Sequence, residues 1–218
     1  TVIYGSDALG GVMDFHSLHP SLSTSDKPLI KLNVLGRFAS ANNEQTGHFD
    51  IMIGKKRISW ISSFTWSDFS NLRMGSRFHP EYQRREYVRT ASASDTVIQN
   101  PDPNLQIPSG YHQINFLQKI RYRPADNLDL YLTFHYSSSG NIPRYDRLIQ
   151  YSNGNLKYAQ WFYGPQQWLM PVFTMENNRK TRFYDQLKMN AAYQFYTESR
   201  HDRKFGKNLL RHRTEKVY

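Results

Sequence analysis

The most regular feature of the chain is the alternation of apolar and polar residues over short segments. Residues 128–137 show it most clearly, since almost every second position carries a leucine, phenylalanine or tyrosine. The apolar set is Leu128, Leu130, Leu132, Phe134 and Tyr136, and the opposite set is Asp129, Tyr131, Thr133, His135 and Ser137. Because successive side chains of a β-strand point to opposite faces of a sheet, this pattern predicts a strand with one apolar and one polar face.

Similar segments recur along the rest of the chain. They cover residues 29–40, 46–53, 58–67, 111–123, 168–177 and 186–197. Apolar positions do not recur at helical spacing over any long window, which argues against a helical protein. Roughly eight strands joined by polar connections therefore predict an all-β, antiparallel architecture.

The connections between these segments alternate in length. Those at 54–57 and 124–127 are short, whereas those at 70–110 and 139–166 are long. A barrel that crosses an outer membrane has short turns at one end and long loops at the other. The alternation therefore favours a transmembrane β-barrel over a soluble sandwich, although the segment 41–45 is short where a long loop is expected.

Composition is compatible with such a barrel. Phe, Trp and Tyr make up 15% of the 218 residues, which suits the aromatic girdles of a membrane barrel. The mean hydropathy is -0.71, and no run approaches the ~20 apolar residues of a membrane helix, so helical insertion is excluded. Alternating strands give a barrel a low mean hydropathy, and an aromatic-rich soluble β protein is the alternative.

The formal net charge of +10 favours an anionic partner. Such a partner could be nucleic acid, lipopolysaccharide or an anionic ligand. A basic surface exposed to solvent, with no partner, is the simpler interpretation. We expect the basic tail Arg200–Arg213 to form an outer loop, where it would meet lipopolysaccharide phosphates. Cysteine is absent, which excludes a disulfide framework and a cysteine-based zinc site.

The first fifteen residues, TVIYGSDALGGVMDF, contain a glycine-rich turn between two short apolar runs. This pattern predicts strand, tight turn and strand. The turn is not a phosphate loop, because it has neither Gly-Lys-Ser/Thr nor G-x-G-x-x-G. No charged and apolar leader follows Thr1, so we expect the natural beginning of the protein to lie upstream.

This turn carries a resemblance to a known family. Residues 4–12, YGSDALGGV, resemble the end of the plug domain of TonB-dependent outer-membrane receptors, where the first barrel strand follows directly. The family's usual Ile-Asn-Ile continuation is replaced here by Met13–Phe15. The signature residues are Tyr4, Gly5, Ser6, Asp7, Gly10 and Gly11. The resemblance implies the C-terminal end of a plug domain over 1–20 and the N-terminal part of a transmembrane β-barrel over 21–218.

Barrels of this family close at about 22 strands around their plug. The roughly eight strands predicted here would then be the N-terminal strands of a larger plugged barrel. An open fragment exposes unpaired sheet edges, which lipid does not tolerate. We therefore expect this chain alone not to fold stably in a membrane.

Three further segments resemble one subgroup of this family. Residues 111–119, 142–148 and 159–168 resemble haemoglobin- and haem-type receptors of this family, particularly from Bacteroidetes-like bacteria, and the likeness covers most of 111–205. It implies active uptake of an iron-containing ligand across the bacterial outer membrane. Haem or a haemoprotein is favoured as the transported ligand, with a ferric siderophore or cobalamin as alternatives.

The same resemblance implies partners. TonB with ExbB and ExbD would supply the energy, and the barrel would contact outer-membrane lipid and lipopolysaccharide. No resident cofactor, no permanent metal and no nucleic acid is implied.

Candidate ligand-binding histidines are His79, in the first long loop, and His135, on the polar parity of its strand. Neutral imidazole is a ligand of haem iron. An ordinary polar surface residue is the alternative for each of them.

A second set of candidates lies in the second long loop. Arg144 and Arg147, which flank Tyr145, have guanidinium groups suited to haem propionates or to an acidic patch of a protein. An ion pair within the loop explains the arginines equally well. Trp161 and Tyr163 can stack on a porphyrin or grip a haemoprotein, and an interfacial aromatic girdle is their alternative.

Other classes of function fit the sequence less well. We do not expect an enzyme, because motifs such as H-E-x-x-H and G-x-S-x-G are missing. The main rival is a soluble, basic, β-rich nucleic-acid-binding protein, which would carry stacking residues on an exposed sheet face. A simple porin is a third option, and the plug-like residues 4–12 argue against it.

Overall fold

The protein is described by a computed structural model covering Met13 and residues 16–75, 77, 79–91 and 94–218. Within this part the regular secondary structure is almost entirely antiparallel β, as the alternation predicted. The plug-like signature at residues 4–11 lies outside the described residues. Among the described residues, no helix is long and apolar enough to cross a membrane.

The elements follow one another in a simple order. The strands are β1 (Leu29–Ala39), β2 (Glu44–Gly54), β3 (Ile58–Phe69), β4 (Glu86–Ala91), β5 (Ser94–Gln99), β6 (Tyr111–Ala125), β7 (Leu128–Ser139), β8 (Ile142–Pro143), β9 (Tyr151–Ser152), β10 (Asn155–Leu156), β11 (Tyr158–Tyr163), β12 (Gln167–Asn177), β13 (Leu187–Ala192), β14 (Phe195–Lys204) and β15 (Arg211–Val217). A 3-10 turn covers Pro80–Tyr82, and the helix α1 covers Tyr145–Leu148.

One large sheet dominates the described part of the chain. Its strands are ordered β1-β2-β3-β6-β7-β12-β14-β11-β8, with β13 paired to β12 and β15 paired to β14. Since β11 leads into β12 and β13 into β14, the sheet consists of the two-residue strand β8 and eight long stretches: β1, β2, β3, β6, β7, β11–β12, β13–β14 and β15. Short turns close β2–β3 and β6–β7 where the sequence predicted them.

The sheet has two chemically different faces. One parity carries large apolar side chains that are exposed, among them Val34 at 74% and Leu132 at 55%. The other parity carries mostly polar side chains and is partly covered, so that Asp129 and Thr133 are buried. We call these the apolar face and the polar face. The usual arrangement, in which the apolar face is covered and the polar face is exposed, is inverted.

Part of the cover on the polar face is the segment 16–23, which precedes β1. The guanidinium of Arg121 donates a hydrogen bond to the carbonyl oxygen of Pro20 at 3.0 Å. The ammonium of Lys119 donates to the hydroxyl of Ser17 at 2.7 Å. Pro20 is buried, so this segment packs on the sheet as well as bonding to it.

Two sequence predictions near the C-terminal end need correction. The strand predicted at 186–197 is interrupted at Tyr193 and Gln194, because the partner of β12 changes there from β13 to β14. The tail Arg200–Arg213, predicted as a loop, instead forms most of the hairpin β14–β15, so that prediction is wrong. Both parities of β14 are polar or charged from Thr197 onward. An alternation of apolar and polar residues therefore does not reveal this strand.

The two long connections contain regular structure of their own. In 70–110, β4 and β5 form a hairpin separate from the main sheet. In 139–166, β8 and β11 extend the main sheet, and α1 and the pair β9–β10 lie between them. The end of the sheet that carries these segments is called the long-loop end below.

Candidate functional site

Asp129 is the electrostatic centre of the polar face. Its carboxylate accepts two hydrogen bonds from Arg121, at 2.8 and 2.9 Å. It accepts two more from Arg123, at 3.0 and 2.8 Å. Bidentate pairing of this kind fixes the guanidinium planes. Because Arg121 also bonds to Pro20, the network holds the N-terminal segment against the sheet.

A cavity of about 470 Å³ lies beside this network, and we call it the mid-sheet cavity. Its lining includes His16, His19, Lys119, Tyr131, Thr133, His135, Thr174, Glu176 and Lys188. Lys188 is paired with Glu176 at 2.8 Å, whereas Lys119 lies opposite the neutral Thr133 in the sheet. Imidazole and ammonium groups outnumber carboxylates in this lining, which favours an anionic ligand or a metal chelate.

A second cavity, of about 500 Å³, lies at the long-loop end of the polar face, and we call it the loop-end cavity. Its lining consists of Tyr111, Gln113, Ser137, Ser139, Ile142, Gln166, Gln167, Trp168, Gln194 and Tyr196. Apart from the aliphatic Ile142, these described residues carry amides, hydroxyls and aromatic rings, with no charged side chain among them. The cavity can therefore bond to neutral polar groups while Trp168 offers a flat apolar surface.

Trp168 and His135 link the two cavities. Their rings are stacked, with centroids 5.8 Å apart and planes 28° apart. Trp168 lines the loop-end cavity and His135 the mid-sheet cavity. The sequence placed His135 on the polar parity, and the structure confirms that position.

The structure also brings together three of the residues predicted from the second long loop. The guanidinium carbon of Arg144 lies 5.0 Å from the ring centroid of Trp161 and 5.4 Å from that of Tyr163. The two rings meet edge to face, with centroids 5.0 Å apart. Arg200 approaches Tyr163 to 5.6 Å as a further cation. We call Arg144, Trp161 and Tyr163 the outer cluster.

The guanidinium of Arg144 already has strong partners. It donates to both carboxylate oxygens of Asp146, at 2.7 and 2.8 Å, and to the hydroxyl of Tyr163 at 2.6 Å. These bonds raise the pKa of Arg144 and lower the pKa of Asp146. Arg147 also lies 3.7 Å from Asp146. The ion pair within the loop, one of the two sequence interpretations, is therefore present, and the outer cluster offers mainly aromatic surface.

Tyr145 and His79 both contact Tyr82 and line neither cavity. The hydroxyl of Tyr145 donates to the carbonyl oxygen of Tyr82 at 2.7 Å, and burial raises the pKa of Tyr145 to about 12. The ring of His79 meets the ring of Tyr82 edge to face, with centroids 6.2 Å apart. His79 Nδ1 also lies 3.4 Å from the carboxylate of Glu81. The two histidines predicted as haem ligands thus occupy different parts of the protein.

A buried arginine fastens the two long connections to each other. Arg84 donates through Nε to the carbonyl oxygen of Ile107 at 2.8 Å and through Nη1 to the carbonyl oxygen of Leu148. Burial lowers the pKa of Arg84. The two connections that surround the outer cluster are therefore bonded to each other through Arg84.

The polar lining of the loop-end cavity is not predicted by the sequence pattern. Gln113, Gln166, Gln194 and Tyr196 lie on four separate strands or turns, and only the pairing of those strands brings them together. Within the described residues, no group of three or more His, Cys, Asp or Glu side chains is placed to hold a metal ion. No protein-family model, no curated protein and no solved structure matches this chain.

Proposed function

We propose that this chain is part of a TonB-dependent receptor whose strands cross the bacterial outer membrane as a β-barrel. It takes up an iron-containing ligand, with haem or a haemoprotein favoured. The observation that carries the proposal is the inverted sheet, whose apolar face is exposed while its polar face is partly covered. A barrel in lipid has this arrangement, because lipid surrounds its outer face and polar side chains line its interior.

The exposed apolar side chains carry an energetic cost in water. Leaving one large apolar side chain in water forgoes roughly 1.5–3 kcal/mol of burial free energy. The apolar face carries a long row of them, including Ile30, Leu32, Val34, Phe49, Trp60, Ile120, Leu132, Phe134, Phe173 and Met189. An exposed apolar surface this extensive marks contact with lipid or with other protein. Of these two, contact with lipid is favoured by the resemblance of residues 4–12 to the plug of a membrane receptor.

The polar face supplies a path for the ligand. The outer cluster lies at the long-loop end, where the aromatic rings of Trp161 and Tyr163 would receive a flat ligand such as a porphyrin. From there the loop-end cavity leads past Trp168 to His135 and the basic mid-sheet cavity. A ligand with carboxylates and a metal centre matches this order of surfaces, and TonB with ExbB and ExbD would drive its release.

The membrane part of the proposal is tested with two neighbouring residues. Lys31 and Leu32 are both exposed and lie on opposite faces of β1. The chain has no cysteine, so Lys31→Cys and Leu32→Cys each introduce one thiol for a fluorescent label. The variants are expressed together with the coding sequence that flanks the chain, with any other cysteine replaced, and are recovered from outer membranes.

Brominated lipid should quench the label at position 32, and aqueous iodide should quench the label at position 31. Iodide quenching at both positions, with no effect of lipid, would remove the membrane part of the proposal. Salt-sensitive binding of single-stranded DNA by the same preparation would favour the soluble rival instead.

The ligand part is tested by titrating the same protein with haemin and following the Soret band. Binding should weaken in Trp161→Ala and in His135→Ala, because the first removes a stacking surface and the second an imidazole on the path. His79→Ala is the comparison, since His79 belongs neither to the outer cluster nor to the lining of either cavity. If haemin does not bind but a ferric siderophore or cobalamin does, the ligand is reassigned and the transporter class is retained.

A further inference from the structure

A pair of histidines lies at the long-loop end of the sheet, on the parity that continues the apolar face. His201 of β14 and His212 of β15 are directly opposite each other. Their ring centroids are 4.5 Å apart, and their Nδ1 atoms are 3.2 Å apart. Neither residue lines the mid-sheet cavity or the loop-end cavity.

The hydrogen bonds around His201 assign its tautomer. Ser199 donates its hydroxyl proton to the carbonyl oxygen of Gly164. The same hydroxyl oxygen lies 2.9 Å from His201 Nε2, and since its own proton is used, it must accept. His201 therefore carries its proton on Nε2, and its Nδ1 presents a lone pair towards His212.

His212 has two possible arrangements. Its Nε2 lies 2.8 Å from the hydroxyl oxygen of Thr214, which can donate or accept. If Thr214 donates, His212 is protonated on Nδ1 and bonds to His201. If Thr214 accepts, two Nδ1 lone pairs face each other across 3.2 Å, and a cation between them would replace their repulsion with two bonds.

We propose that His201 and His212 form a two-histidine site for a divalent late transition-metal ion, with both Nδ1 atoms as ligands and water completing the coordination. A bond from such a metal to imidazole nitrogen is ~2.0–2.1 Å long. Two such ligands are then ~2.9 Å apart at a right angle and ~3.3 Å apart at a tetrahedral angle. The observed separation of 3.2 Å lies between these two values.

Neighbouring side chains fix the orientation of both imidazole rings. Phe162 stacks on the ring of His201, with centroids 4.6 Å apart and planes 6° apart. With a metal on both Nδ1 atoms, Ser199 and Thr214 would accept the Nε2 protons, which is the role that hydrogen-bond partners of metal-bound histidines play. Imidazole ligands suit Cu²⁺, Ni²⁺ and Zn²⁺, and Cu²⁺ binds most strongly of the three. The bound ion would tie β14 to β15.

Cu²⁺ is the probe for the test. The protein expressed with the coding sequence that flanks the chain is titrated with CuCl₂ at neutral pH. Affinity is measured by calorimetry, and the nitrogen ligands are counted by electron paramagnetic resonance. We expect one strong site per chain with two imidazole nitrogens. His212→Ala should weaken that site by more than the about 10- to 100-fold typical of losing a hydrogen-bond partner of a ligand.

Two further variants separate a metal site from a structural pair. Thr214→Val keeps both imidazoles but removes the acceptor for His212 Nε2. It should lower the affinity for Cu²⁺ by about 10-fold. His79→Ala removes an exposed histidine elsewhere and should leave the site unchanged. A spectrum with a single nitrogen ligand, or equal affinities for the parent protein and His212→Ala, would overturn the proposal. Circular dichroism that matches the parent shows that each variant is folded.

Discussion

The carboxylate of Asp95 accepts two hydrogen bonds from the guanidinium of Arg203, at 2.6 and 2.7 Å, across 108 positions of sequence. The two side chains are 2% and 8% exposed. Thr90 and the backbone amide of Gly206 also bond to this carboxylate, at 2.9 Å each. The pair fastens the hairpin β4–β5, and with it part of the first long connection, to the end of β14.

Asp95→Asn should detach that hairpin. Removing one partner of a buried pair leaves the other charge uncompensated and typically costs about 3–5 kcal/mol. The loss is measured as faster hydrogen exchange over residues 86–99, with the long sheet unaffected. Asp102→Asn is the control, because the pair of Asp102 with Arg73 is exposed to solvent and should not alter exchange in the hairpin. Equal protection in Asp95→Asn and the parent protein would show that the pair does not hold the hairpin.

The same anchor should weaken in acid. Bonds from Arg203 lower the pKa of Asp95 to about 2, against about 3.9 for an unfolded aspartate. The folded form binds the proton less readily, so its stabilisation is complete above the unfolded value and is lost as the pH falls towards 2. Pepsin cleavage within residues 86–99 should therefore rise from pH 4 to pH 2. In Asp95→Asn the cleavage should be fast throughout, apart from the enzyme's own pH profile.

The N-terminal segment should depend on one of two neighbouring arginines. Arg121 and Arg123 both pair with Asp129, but only Arg121 is bonded to Pro20. Arg121→Gln should release residues 16–22 from the sheet. The loss of one charged hydrogen bond should reduce the free energy that holds the segment by about 1.5–3 kcal/mol. Arg123→Gln leaves Arg121 and Asp129 paired and should retain the segment. Hydrogen exchange over residues 16–22 distinguishes the two, and identical exchange in both variants would contradict this assignment.

The fold was predictable from sequence where one parity is apolar and the other polar. In β7 the alternation from Leu128 to Ser137 gave the strand, its faces and its short turn, and the structure agrees. In β14 the residues Glu198 and Arg200 alternate with Ser199 and His201, so neither parity is apolar and no pattern marks the strand. Its place in the sheet follows from pairing with β11, β12 and β15, and its anchor Asp95–Arg203 joins residues 108 positions apart.

The candidate site divides in the same way. His135 was placed on the correct face because its position follows from strand parity alone. The meeting of Arg144 with Trp161 and Tyr163 depends on the pairing of β8 with β11 across a connection that the sequence predicted only as a loop. The pairing of Arg144 with Asp146 was one of two interpretations, and the sequence has no means of choosing between an internal carboxylate and a ligand.

Gly54 should be required at the end of β2. A methyl group there would overlap the carbonyl oxygen of Ser21, which belongs to the backbone and cannot rotate away. Gly54→Ala should therefore displace the N-terminal segment and destabilise the protein by about 1–3 kcal/mol, as overpacking does. Gly47→Ala is the control on the same strand, because nothing lies within 4 Å of its added methyl. Denaturant unfolding compares the two, and equal midpoints would contradict the close approach at Gly54.

Two neighbouring alanines test the environment of the two faces. Ala191 and Ala192 are both exposed, and they lie on opposite faces of β13. Ala191 is opposite Phe173 on the apolar face, and Phe173 is opposite Leu132 in the middle of the sheet. The same substitution to lysine at these two positions therefore differs mainly in which face receives the charge.

If the apolar face contacts lipid, Ala191→Lys should destabilise the folded protein by roughly 2–4 kcal/mol, the range for a lysine near the middle of a bilayer. Ala192→Lys would point to the polar face and should have little effect. If both faces contact water, both changes stay within about 0.5 kcal/mol, as exposed surface substitutions usually do. Unfolding by urea from lipid vesicles and from detergent-free buffer measures the difference. A large effect of Ala191→Lys in both media would instead indicate that protein, and not lipid, covers the apolar face.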